Sequence, residues 1–155
     1  NLAYQIVAVH YLPWQEEPLP ENQPLTIDVT YDAKTLKVDD TLGVKVKLEY
    51  HRNDVADMTL VDLGIPPGFA VMPEYFQGLK DEGIIEKYSM NGRQVTLYFR
   101  EISSEQPIEF SYELKAKFPV TAKTPKSTAY QYYEPEIRAE AQPVEIEVAK
   151  VASID

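Results

Sequence analysis

Residues 61–83, VDLGIPPGFAVMPEYFQGLKDEG, decide how the rest of the chain is read. A strand-like run ends at Leu63-Gly64-Ile65, and Pro66, Pro67 and Gly68 then forbid regular pairing, because proline lacks an N–H and fixes φ. Met72, Tyr75, Phe76 and Leu79 follow with the i, i+3, i+4, i+7 spacing of one buried helical stripe. Pro73 suits a first helical turn, Glu74 the positive end of the helix dipole, and Gly83 the position just past the last turn. The stretch predicts one short helix near residues 73–82, entered through a proline corner and crossing a β protein.

On the N-terminal side of this stretch the period is two. Leu25, Ile27, Val29 and Tyr31 share one face of a strand. A short extended piece, Leu36 to Val38, lies between turns at Asp32 and Asp39-Asp40. Leu42, Val44, Val46, Leu48 and Tyr50 then oppose Lys45, Lys47 and Glu49, the pattern of a half-buried antiparallel strand. Met58 to Leu63 is the next strand. Further toward the start, Tyr4 to Leu12 is apolar on both faces in places, and Gln15 to Pro24 is a polar, proline-rich connector.

On the C-terminal side, Ile84 to Met90 reads as a strand and Asn91-Gly92 as a two-residue hairpin turn, because both positions tolerate positive φ. Val95, Leu97 and Phe99 form the return. Ile108, Phe110, Tyr112, Leu114, Ala116 and Phe118 make the longest alternation, Ala129 to Tyr133 is an aromatic strand, and Val144, Ile146 and Val148 supply the last. About nine strands at short spacing with one helix predict an all-β, two-sheet antiparallel β-sandwich.

The 155 residues suit one domain with a real core. A formal charge of −10 repels phosphate backbones and anionic lipid, so nucleic acid and membrane surfaces are excluded as expected partners. With no cysteine there is no disulfide, thiol nucleophile or thiolate zinc site. No apolar run approaches the ~20 residues that span a bilayer. The chain opens mid-strand without methionine or signal peptide, which predicts a piece excised from a longer protein.

No catalytic constellation emerges. His10 lies in an apolar strand and His51 beside a turn, each read as structural rather than as a base for a nucleophile. The glycines are scattered, and no HxH or HExxH spacing occurs. The acid pairs Glu16-Glu17 and Asp39-Asp40 lack the loop that calcium requires. The expectation is a non-enzymatic chain with no catalytic residue, no metal and no cofactor. Trp14, Tyr130, Tyr132 and Tyr133 are candidates for a sugar-stacking platform, although aromatics at strand positions more often pair across strands.

Three stretches, in register, resemble the C-terminal receptor-binding domain of the alpha-2-macroglobulin family: MTLVDLGIPPGF at 58–69 leading into the helix, VTLYF at 95–99, and Phe118-Pro119-Val120 with a Lys-Thr-Pro loop and AYQYYEPEIRAEA at 129–141. The similarity runs through roughly Leu25 to Ala141. The run through Trp14 resembles the segment that links this domain to the preceding thioester region, which divides the chain into a linking strand at 1–14 and one sandwich domain at 25–150.

The resemblance implies the last, non-catalytic module of a large protease trap, giving structural support and an interaction surface that conformational change exposes. In such proteins a bait region is cut, a thioester elsewhere is uncovered and the receptor-binding domain becomes accessible. The implied partners are neighbouring domains of a larger chain, with a protein receptor or protease complex beyond them. The lack of cysteine and of any N-x-S/T sequon is similar to bacterial members, which implies an exported, periplasmic or surface, location.

In vertebrate members two lysines four apart on this helix contact the receptor. The matching positions here are Pro73 and Gln77, and Lys80 is flanked by Asp81 and Glu82. The candidate interaction face is therefore Gln77, Lys80 and Asp81, without the lysine pair. The alternative expectation is an independent carbohydrate- or protein-binding sandwich of a surface protein.

Overall fold

A computed structural model describes residues 23–150. Along the chain run β1 (Leu25–Tyr31), β2 (Thr35–Lys37), β3 (Thr41–Tyr50), β4 (Val55–Gly64), β5 (Phe69–Val71), α1 (Pro73–Asp81), β6 (Lys87–Asn91), β7 (Gln94–Ser103), β8 (Ile108–Ala116), β9 (Val120–Lys123), β10 (Ser127–Gln131), β11 (Arg138–Ala141) and β12 (Glu145–Ala149). One sheet has the order β1-β3-β8-β5, the second β11-β10-β4-β7-β6, and a small third β2-β12-β9. Every pairing is antiparallel except β2 with β12. The expected all-β sandwich with one short helix is present, divided into more strands and one more sheet than the alternation predicted.

Side-chain alternation builds the two layers. In the first sheet Leu25, Ile27, Leu42, Val44, Val46, Leu48, Phe110, Tyr112 and Leu114 point inward and are buried. Register aligns them, with Val44 opposite Tyr112 and Val46 opposite Phe110. The second sheet answers with Val61, Leu63, Val95, Leu97, Phe99 and Ala129. Each buried aliphatic side chain contributes roughly 1.5–3 kcal/mol relative to exposure, so the inward rows hold the layers together. The third sheet closes one end over Leu36, Ile146 and Val148.

The single parity is broken once. In β4, Ala56 is buried, yet the buried row continues on Thr59, Val61 and Leu63; in β7 it passes from Phe99 to Ile102. β4 changes face at Met58, which carries φ 45° and is 38% exposed, and β7 does so at Arg100 and Glu101 opposite it. No residue is inserted there, since Asp57 pairs with Glu101 and Thr59 with Phe99, so the left-handed conformation of Met58, not a bulge, accompanies the change of face. β4 also begins earlier than Met58, at Val55.

Several sequence expectations move. Residues 84–86 are not strand, because Ile84 completes the helix cap and Ile85 turns into the core. The two-residue loop is Gly92-Arg93, since Asn91 pairs with Gln94. Gly92 does not have positive φ; instead Asn91 Oδ1 accepts the Arg93 N–H at 3.2 Å, a side-chain turn that needs no left-handed residue. Phe118 lies beyond β8 and is 67% exposed. The aromatic strand ends at Gln131, leaving Tyr132 and Tyr133 outside it and exposed. Tyr4–Leu12, His10, Trp14, Glu16-Glu17 and the proposed linking strand at 1–14 lie outside the described residues.

Candidate interaction face

Short β5 is what makes room for α1. It pairs only with Leu114–Ala116 of β8, so the remaining edge of β8 is left for the helix to cover. The Phe76 ring, fully buried, sits 5.2 Å from Tyr112 of β8 and 5.9 Å from Tyr88 of β6. Tilted aromatic contacts at these distances add to the area the ring buries. Leu79 is buried as well, whereas Met72 and Tyr75, read as part of the same stripe, are only half-buried.

The helix ends are specified as the sequence indicates. Met72 is the N-cap without a side-chain cap bond, Pro73 is in the first turn, and Glu74 faces the dipole's positive end. At the other end the Gly83 N–H donates to Lys80 O at 3.0 Å and the Ile84 N–H to Leu79 O at 2.9 Å, with Gly83 at φ 74°. This is the Schellman arrangement, which satisfies two orphan carbonyls and requires a residue that adopts the left-handed region freely. Because the cap holds the last turn, the outward residues are displayed on a fixed scaffold.

The outward face carries Glu74, Gln77, Lys80, Asp81 and Glu82, all exposed. Gln77 Nε2 donates to Asp81 Oδ1 at 2.7 Å, an i, i+4 pair along the face. The Tyr88 hydroxyl donates to Gln77 Oε1 at 3.4 Å, tying the face to β6. Beside the helix the Tyr75 hydroxyl bonds Glu113, and that bond, with partial burial, raises the phenol above its ordinary range. One cation stands against three carboxylates here, so the face is anionic. The structure thus brings Gln77, Lys80 and Asp81 together on one exposed surface and leaves Pro73, also exposed, at its start.

The other candidates sort differently. His51 Nε2 lies 3.1 Å from Thr26 Oγ1 in an exposed pair joining β1 to the residue after β3. The pair borders a cleft of about 770 Å3 that also includes Asp28, Arg52 and Glu140. Asp39 takes φ 72° and Asp40 Oδ2 accepts the Lys37 N–H at 2.8 Å, so that acid pair builds a turn. No group of three metal-binding side chains gathers among the described residues, and none of their helices is long and apolar enough to cross a membrane.

Tyr132 and Tyr133 meet edge-on at 90°, centroids 5.2 Å apart, and Lys87 Nζ covers the Tyr98 ring at 4.2 Å. A cleft of about 660 Å3 between Met58, Leu60, Tyr98 and Tyr132 was not legible in the sequence. Met58 and Leu60 come from β4, Tyr98 from β7 and Tyr132 from just beyond β10, and no local pattern announces that they meet.

The fold has solved counterparts. Native alpha-2-macroglobulin from Escherichia coli matches with a TM-score of 0.73 at 18% identity over 87% of this chain and 10% of its own. A structure of the same protein that runs from an internal domain to the C-terminus gives 0.72 at 18%, covering 86% of this chain and 25% of that one. A Salmonella alpha-2-macroglobulin mutant gives 0.71 at 15%, covering 85% and 10%. The chain therefore spans about a tenth of the two longer chains and a quarter of the one that begins at an internal domain. No curated protein sequence matches it. The family model for the A-macroglobulin receptor binding domain matches residues 54–143, which take in β4, α1 and the strands through β11. On that match, the chain belongs to the A-macroglobulin receptor binding domain family.

Proposed function

We propose that this domain is a non-catalytic closing module of a larger, exported macroglobulin-like protease trap, in which α1 offers a protein-interaction face that becomes accessible when the parent changes conformation. Family membership over residues 54–143 carries the reading. The geometry supports it in a second way: α1 spends Phe76 and Leu79 on the core and leaves Gln77, Lys80 and Asp81 committed to no buried contact. In this reading residues 1–14 link the module to a preceding region and residues 25–150 form the sandwich. Bait cleavage and thioester chemistry belong to other parts of the parent, since this chain has no cysteine.

The face favours a partner other than a receptor that reads paired lysines in acidic pockets. Such pockets gain from cations, and this surface sets Lys80 against Glu74, Asp81 and Glu82. Titration of the isolated domain against the lysine-reading repeats of an animal clearance receptor should show no saturable binding below the micromolar range. Saturable binding in that range would overturn this assignment of the face. A sugar platform is the less supported reading, because the exposed tyrosines present an edge-to-face pair rather than coplanar rings.

A further inference from the structure

We propose that Asn91 is a self-modifying site: in the folded protein its side-chain amide is lost by attack of the Gly92 main-chain nitrogen, which turns the β6–β7 hairpin into an ageing switch linked to α1. Asn91 is the last residue of edge strand β6, and Asn91, Gly92 and Arg93 are all exposed. A Cβ built on Gly92 would meet nothing within 4 Å apart from its chain neighbours, so the space beside the residue is open, and glycine brings no Cβ of its own to hinder the nucleophilic nitrogen. The Arg93 N–H donates to Asn91 Oδ1 at 3.2 Å and so draws electron density from the amide carbon. Nothing among the described residues accepts from Nδ2, which is left free to depart. Of the four asparagines only Asn91 precedes glycine; Asn53, also in a turn, precedes Asp54.

The step balances without any co-reactant but water. The Gly92 nitrogen loses its proton to solvent and bonds to Asn91 Cγ, closing a five-membered imide. Nδ2 leaves as ammonia after taking up a proton. Water then opens the ring at one of its two carbonyls, giving aspartate or isoaspartate. Both products add one negative charge to a chain already at −10. Isoaspartate also lengthens the main chain by one carbon at the pair Asn91–Gln94, which the hairpin register cannot absorb. Three residues away in β6 is Tyr88, whose ring meets Phe76 and whose hydroxyl reaches Gln77, so the slip is felt on the helix face.

Native protein incubated in neutral to mildly alkaline buffer should be followed by peptide mass mapping with isoaspartate detection, beside a urea-unfolded sample. The expected result is amide loss and isoaspartate in the Asn91 peptide ahead of the Asn53 peptide, with faster hydrogen exchange of α1 amides in the aged fraction. Gly92→Ala should slow the conversion several-fold. Asn91→Gln, which must close a larger ring, should abolish it even if the alanine variant folds poorly. Retention of the Asn91 amide in folded protein while the unfolded sample converts would overturn the proposal. So would conversion of Asn53 first, or aged protein whose α1 exchange is unchanged.

Discussion

Glu140 in β11 sits between two cations, with Lys126 Nζ at 2.6 Å and Arg138 Nη2 at 2.7 Å. The Lys126 bond first, then the Lys126 and Arg138 charges, hold its carboxyl below the ordinary 4.5 although burial works in the opposite direction. A carboxyl lowered on folding stabilises fully above its unfolded value and loses that contribution as pH falls through the folded value. Glu140→Gln should therefore cost about 1 kcal/mol at pH 7, and the gap to wild type should close below pH 4.5. Urea unfolding of both proteins at pH 7 and pH 3.5 checks this; a gap that does not shrink on acidification would count against it.

Gly64 poses a steric question rather than an ionic one. Its N–H donates to buried Ser127 Oγ at 3.1 Å, and an added Cβ would meet Pro125 Cβ at 2.7 Å and the Lys126 carbonyl oxygen at 2.9 Å. Backbone cannot swing aside as a flexible side chain can, so Gly64→Ala should cost roughly 1–3 kcal/mol by overpacking.

At the scale of one element, α1 is anchored by a single ring. Removing it by Phe76→Ala should cost about 3–5 kcal/mol in chemical denaturation, as other buried aromatic deletions do. A loss under about 1 kcal/mol would mean that the stripe does not face the core. The helix was legible because its signals are local: a proline at the start, the Phe76–Leu79 spacing and a glycine at the end all lie within the 11 residues from Pro73 to Gly83. β1, β3 and the inward half of β8 were legible for the same reason, through long alternation.

What escaped the sequence had no local signature. β5, β9 and β11 have only three or four residues each, too few to show a period. They are strands because β8, β12 and β10, respectively, offer them hydrogen bonds. The parity change at Met58 and the parallel pairing of β2 with β12 are likewise consequences of partners distant in sequence. The Asn91-Gly92 pair marked the hairpin but misplaced its loop by one residue, because the asparagine side chain supplied the turn that positive φ was expected to supply.

For the whole molecule, two sandwich sheets meet along inward apolar rows, a third caps one end, and α1 closes the side that β5 leaves open. The three residues singled out from the sequence, Gln77, Lys80 and Asp81, fall on one exposed surface because a helix repeats its faces and only one face fits the core. Their chemistry was readable from composition alone, but the Gln77 bonds to Asp81 and to Tyr88 required the fold.

The proposed function requires the parent protein to keep this face covered until protease cleavage changes its conformation. Acylation of Lys80 by an amine reagent, quantified by mass spectrometry in the full-length parent before and after protease treatment, tests it most directly. The predicted result is a several-fold rise in Lys80 labelling on cleavage, toward the rate in the isolated domain. Equal labelling in the intact and cleaved forms would contradict it.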